Sequence, residues 1–104
     1  MVQELTSKNF NEFISEGITV VDFYADWCAP CLMMVPVIEE LSKKMKDIKF
    51  ARINVDSERE KAQKFSIMSI PHFIIFKDGK EIDRIIGGMH KTIFEERLRK
   101  IFEL

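Results

Sequence analysis

Apolar and polar positions alternate along this chain with two periods, and the period switches repeatedly between them. Phe10, Phe13 and Ile14 recur at three- and four-residue spacing, which predicts a short helix over about 7–16. Ser7 stands where a helix is often capped, and Gly17 where one often stops. From Ile18 to Ala25 the residues are β-branched, aromatic and almost wholly apolar, the pattern of a strand buried on both faces. Met34, Val37, Ile38, Leu41 and Met45 form one stripe, so about 29–46 reads as an amphipathic helix. Lys43, Lys44 and Lys46 fall in its last turns, where cations suit the dipole, and Pro36 predicts a kink inside it.

Ile48 to Val55 reads as a second strand, and Asp56-Ser57-Glu58 as the acid-rich opening of a short polar helix. His72 to Phe76 is a third strand. Asp78-Gly79 is a tight hairpin signal that returns Lys80 to Ile86 as its partner. Gly87 and Gly88 break that strand, and Ile93, Phe94, Leu98, Ile101 and Phe102 mark a last amphipathic helix. The order is helix, strand, helix, strand, helix, strand, strand, helix. It predicts an α/β fold with a central sheet and helices on both faces. The sheet should be parallel where helices connect strands and antiparallel at the hairpin. With no repeat, linker or low-complexity segment, the chain is expected to be one domain, 1–104.

Composition narrows the function. Hydrophobic residues make up 46% and charged residues 32%, enough for one modest core. A net charge of −1 speaks against a nucleic-acid partner. No apolar run is long enough for a membrane span. The N-terminus lacks a basic start followed by an apolar run, so no secretory signal is expected and the cytoplasm is the expected compartment. In that compartment two cysteines are more often catalytic or metal-binding than a permanent staple. A monomer is expected.

Cys28 and Cys31, in Trp27-Cys28-Ala29-Pro30-Cys31, sit where a buried strand passes into a helix. Unsatisfied N–H groups and the positive dipole end at a helix start favour thiolate over thiol, so the first cysteine should have a lowered pKa. The i, i+3 partner lies on the same face, and Pro30, with fixed φ and no N–H, suits the first turn. This is an arrangement for thiol–disulfide exchange, with Cys28 attacking a target disulfide and Cys31 resolving the mixed disulfide. A structural zinc site would need four ligands, and the only histidines, His72 and His90, stand at no ligand spacing, so no metal is expected. Inert core cysteines would explain neither the spacing nor the junction.

Three other positions carry chemistry. Asp22 is an acid in an apolar strand, where desolvation should raise its pKa. Trp27 lies beside Cys28 outside any periodic stripe, which favours a shielding and docking role over a core one. Gly87 and Gly88 suit close backbone approach at a substrate groove.

The chain resembles the thioredoxin family over nearly its whole length, from about Leu5 onward. The resemblance rests on Val21-Asp22-Phe23-Tyr24-Ala25, Trp27-Cys28-Ala29-Pro30-Cys31, Pro36, Asn54-Val55-Asp56, Ile70-Pro71 and Phe76-Lys77-Asp78-Gly79. It implies a thioredoxin-like three-layer α/β/α sandwich, a five-stranded mixed sheet flanked by four helices. It also implies reduction of protein disulfides with no cofactor beyond a redox-active Cys28–Cys31 disulfide, recharged by thioredoxin reductase or an equivalent donor. Asp22 would lie beneath the cysteines and relay protons with Cys31. The Ile70–Pro71 bond would be cis, leaving the Ile70 backbone free to pair with an extended substrate. Trp27, Pro30, Ile70, Pro71 and Gly87 make up the expected substrate-contacting set.

Four positions depart from the commonest family pattern. Ala29 replaces glycine and should firm the helix start. Leu32 replaces lysine, making the docking face more apolar. Arg52 replaces a lysine and by strand parity faces Asp22, where it would hold the acid ionised and weaken the relay. His72 replaces threonine, either to stabilise a thiolate or as a polar residue lining the groove. The competing readings are a glutaredoxin-like enzyme or an oxidase or isomerase, and a non-catalytic binding module on the same fold.

Overall fold

The computed structural model describes residues 1–102; Glu103 and Leu104, the last two residues of the expected domain, lie outside the described residues. Five strands form one sheet: β1 (Val2–Leu5), β2 (Ile18–Tyr24), β3 (Ile48–Asn54), β4 (His72–Lys77) and β5 (Lys80–Ile86). They lie in the order β1-β3-β2-β4-β5. Four helices cover it: α1 (Phe10–Ile14), α2 (Ala29–Lys44), α3 (Arg59–Lys64) and α4 (Lys91–Ile101). The apolar run of β2 is explained by its place, with β3 on one side and β4 on the other.

Alternation along the strands sends side chains to two separate cores. Val20, Phe50, Phe73, Ile75 and Ile85 meet Met34, Ile38 and Leu41 of α2 and Phe94 and Leu98 of α4. Val21, Phe23, Ile53, Ile74 and Phe76 meet Phe10 and Ile14 of α1, with Phe65 beyond α3 packed alongside. Each such side chain contributes about 1.5–3 kcal/mol on full burial. The second core is aromatic: Phe10, Phe23, Phe65 and Phe76 have ring centroids 5.5–6.2 Å apart.

Several local expectations are revised. The residue pattern missed β1, which the family resemblance implied. It is a short edge strand in which only Leu5 is fully buried, so its alternation is faint. Helix α1 starts at Phe10, not near 7. Asn9 accepts the Thr6 N–H at 2.8 Å, while the Ser7 N–H donates to Glu58 at 2.8 Å, so Ser7 caps nothing. Residues 55–57 form turns around Asn54, whose Oδ1 accepts from the Asp56 and Ser57 N–H groups, and helix begins only at Arg59. The β2–α2–β3 unit is parallel as expected. The connection through α3 is not, because the chain reverses over residues 65–71 and β4 enters antiparallel beside β2.

The Asp78-Gly79 hairpin has both central residues at positive φ, +49° and +86°, which matches the twist of its strands. Gly17, at φ +76°, donates to the Asp78 carboxylate and accepts the Asp78 N–H, tying the α1–β2 turn to the hairpin. One irregularity interrupts the β4–β5 ladder. Phe76 pairs with Glu81 but Ile75 pairs with Asp83, so Ile82 is an extra residue in a bulge.

Candidate active site

Strand β2 ends at Tyr24, and Cys28 takes the N-cap position of α2 with extended backbone, φ −93° and ψ 106°. Cys28 and Cys31 are joined as a disulfide with their Cα atoms 5.2 Å apart. The Cys31 N–H donates to Cys28 Sγ at 3.2 Å, so the first cysteine's sulfur takes a capping hydrogen bond at the positive end of a sixteen-residue helix. Each of these features favours charge on sulfur when the bond is reduced. Pro30 lies in the first turn, where no N–H is needed. Both cysteines are buried with Tyr24 and Ala25, and Val55 and Ile70 pack against them.

Asp22 is 2% exposed, and among the described residues its Oδ1 has no hydrogen-bond partner. Burial pushes its pKa from 3.8 up to about 7; Arg52 pulls the other way and Glu4 reinforces the rise. The expectation that Arg52 holds this acid ionised is therefore revised. Arg52 is the register partner of Asp22, yet the two form no ion pair among the described residues. The guanidinium instead stacks on the Tyr24 ring, 3.7 Å from its centroid. Tyr24 donates its hydroxyl to Glu4 at 2.6 Å, and burial with that bond pushes its pKa up to about 12. A cleft of about 150 Å³ opens beside these groups, lined by Glu4, Asp22 and Arg52 from the sheet and Val35 and Ile38 from α2. Val35 lies one helical turn beyond Cys31. An acid that titrates near neutrality, with a free oxygen beside a cleft one helical turn from Cys31, is suited to taking up and giving back a proton.

Around the sulfurs lies an apolar rim. Trp27 is 72% exposed, and its Nε1 donates to Asp56 at 2.8 Å, which holds the ring in one place. Leu32, Met33 and Met68 are also exposed. The Ile70–Pro71 peptide bond is cis. Pro71 is buried and Ile70 half-buried, and among the described residues no backbone group bonds the N–H or C=O of Ile70. Gly87 donates to the Pro71 carbonyl at 2.8 Å. The two glycines differ in what they need. Gly87 has φ +99° and open space where a Cβ would sit, so its requirement is conformational. Gly88 has no such requirement and makes no forced close approach, since a Cβ there would sit in ordinary contact, 3.5 Å from Pro30. Between Pro30, Met33, Val37 and Met89 runs an apolar groove of about 400 Å³.

His72 occupies neither place considered for it. It is 4% exposed, and its strand parity puts it on the α1/α3 face with Ile74 and Phe76, across the sheet from Asp22. Its Nε2 lies 3.2 Å from Arg84 Nη1. Among the described residues its Nδ1 has no hydrogen-bond partner. Burial, then the Arg84 charge, lower its pKa. The structure thus gathers Cys28, Cys31, Trp27, Pro30, Ile70, Pro71 and Gly87 at one end of the sheet, with Asp22 and Arg52 beneath, and separates His72 from them. Reading the sequence alone missed Glu4, Tyr24 and the role of Asp56. Glu4 and Tyr24 share strand parity with Arg52 and Asp22, which was the only available signal, and β1 was not recognised. Among the described residues no group of three or more His, Cys, Asp or Glu is placed to hold a metal ion, and no helix is long and apolar enough to cross a membrane.

Comparison with known proteins gives a matching picture. The family model described as Thioredoxin matches residues 1–100. A thioredoxin of Chlamydia pneumoniae is 37% identical over 100 residues, covering 96% of this chain and 98% of its own. That of Bacillus subtilis is 38% identical, covering 95% and 96%. Among solved structures, Plasmodium falciparum thioredoxin superposes with a TM-score of 0.88 at 31% identity, over 94% of this chain and 97% of that one. Oxidized mitochondrial thioredoxin 3 of Saccharomyces cerevisiae gives 0.86 at 33%, over 95% and 94%.

Proposed function

This chain belongs to the thioredoxin family and is a thiol–disulfide reductase, and from that premise we propose that Cys28 is its attacking nucleophile, Cys31 its resolving thiol and Asp22 its proton carrier. In the reduced protein the Cys28 thiolate attacks one sulfur of a substrate disulfide. That bond breaks, a new Cys28–substrate bond forms, and the departing substrate sulfur takes a proton. Asp22, as carboxylate, accepts the Cys31 proton through the cleft. The Cys31 thiolate attacks Cys28 Sγ and releases the second substrate sulfur. Two electrons have moved to the substrate, and the Cys28–Cys31 disulfide remains.

The observation that carries this reading is the Cys31 N–H to Cys28 Sγ hydrogen bond at the α2 N-terminus, which stabilises charge on the first sulfur. Trp27, Pro30, Ile70, Pro71 and Gly87 form the docking rim, with the Ile70 backbone pairing with an extended protein segment. Arg52 tempers the Asp22 charge, and His72 acts outside the sulfur chemistry. No cofactor is needed beyond the disulfide itself. The partners are disulfide-bearing proteins and thioredoxin reductase or an equivalent donor. Residues 1–104 act as one monomeric domain in the reducing cytoplasm.

Equilibration in thiol–disulfide buffers, read by Trp27 fluorescence, tests the direction of flow. A potential near −270 mV, roughly the value characteristic of thioredoxins, fits a reductant. A value of about −120 to −180 mV would favour an oxidase or isomerase. Absence of a redox transition would leave only the binding-module reading.

A further inference from the structure

Glu81 and Arg84 stand three residues apart in β5, a spacing that sends side chains to opposite faces of a regular strand. The bulge at Ile82 cancels one step of that alternation. Glu81 pairs with Phe76 and Arg84 with Ile74, and both of those β4 residues belong to the α1/α3 core. The Glu81 carboxylate accordingly grips Arg84 by two bonds, from Nε at 2.6 Å and from Nη2 at 2.9 Å. Such a fork fixes the plane of the guanidinium.

The remaining Nη1 edge reaches across to the α3–β4 connection. It donates to the Phe65 carbonyl at 2.8 Å and lies 3.2 Å from His72 Nε2. A guanidinium has only donors, so Nε2 accepts and the imidazole proton sits on Nδ1. Phe65 is the C-cap residue of α3 and His72 the first residue of β4. One side chain thus closes both ends of the connector 66–71, which presents Met68 to solvent and sets Ile70 against the cysteine cluster.

We propose that Arg84 is a positioning residue for substrate docking: oriented by Glu81, it clamps the two ends of the 66–71 connector so that the Ile70 backbone is held ready to pair with an extended protein substrate beside Cys28. The proposal rests on the docking role given to Ile70 above. Arg84 touches neither sulfur nor substrate. Its effect should therefore appear with a protein substrate and vanish with a disulfide that has no backbone to pair.

The test uses the full chain, pre-reduced, with single-turnover rates measured against insulin and against cystamine. Arg84→Ala should slow insulin reduction about tenfold, as expected for losing two hydrogen bonds of ordinary strength. Cystamine reduction and the Cys28/Cys31 potential should stay unchanged. Arg84→Lys should restore part of the insulin rate by reaching the Phe65 carbonyl. Glu81→Gln, which keeps the guanidinium in place but loosens its grip, carries the same test with a smaller loss, about threefold. An insulin rate that survives both Arg84→Ala and Glu81→Gln overturns the proposal alone. So does an equal loss on both substrates, which would mark a merely structural role. Equal rates on insulin and cystamine in the unaltered protein would overturn the docking role of Ile70, and the proposal with it.

Discussion

Asp22 and His72 are both buried and both titratable, and they stand one residue out of register on adjacent strands. Asp22 pairs with Phe73, and His72 with Phe23, so their side chains leave the sheet on opposite faces. Burial drives each toward its neutral form, up for the acid to about 7 and down for the imidazole. Their surroundings then diverge. Asp22 keeps an unpaired oxygen beside a cleft of about 150 Å³. His72 accepts from Arg84 against a face filled by Phe10, Phe23, Phe65 and Phe76. Burial by itself thus does not make a working group. What separates the proposed proton carrier from the fastener is a free lone pair beside an open cleft.

The largest expected effect breaks the sealed face. Phe10→Ala removes a fully buried ring and should destabilise the protein by about 3–5 kcal/mol in urea unfolding, with the Asp22 titration unmoved. A shifted Asp22 titration would show that the two faces are not independent.

Next comes the open face. A carboxyl raised from 3.8 to about 7 binds more protons when folded than unfolded. Its contribution to stability is complete below pH 3.8 and is lost as pH rises through about 7. Ionising the buried acid above that range costs about 4 kcal/mol. Asp22→Asn should therefore gain stability approaching that figure above pH 7, with no gain near pH 4. It should also slow the resolving attack by about a hundredfold, read as longer-lived mixed disulfides. A stability gain without slowed resolution would remove Asp22 from the mechanism.

His72 has the opposite sign. Its folded pKa is lowered, so as pH falls below the ordinary histidine value the unfolded chain takes up a proton that the folded chain refuses. Stability should decline on that acid side, and His72→Thr should flatten the decline in a pH series of urea midpoints. The smallest effect belongs to Glu4→Gln. Removing that charge should lower the Asp22 pKa by a fraction of a pH unit, seen by carbon NMR of the carboxyl. A rise instead would mean that Arg52 moves away from Asp22 once the Tyr24–Glu4 bond is altered.

Much of this was legible in the residues. The sulfur pair, its helix start, the buried acid and the hairpin turn are all local or periodic signals. So is the central strand, whose almost wholly apolar run requires neighbours on both sides. What escaped depended on geometry that local pattern does not encode. The weakly buried β1 hid Glu4, and with it the bond to Tyr24, the ring on which Arg52 stacks. The bulge at Ile82 hid Arg84, because plain alternation sends it away from Glu81 and His72. The face assigned to His72 followed only once its pairing with Phe23 was known.

The bulge also bears on the company this protein keeps. A reductant of protein disulfides meets partly opened chains whose own strand edges are exposed, and a flat, regular rim would invite them to zip on and aggregate. The outer strand β5 offers Lys80, Glu81, Asp83 and Arg84 instead, with its ladder interrupted at Ile82. If clients dock as proposed, they are thereby turned away from the long rim and left to meet the short stretch at Ile70, where release follows from the chemistry itself.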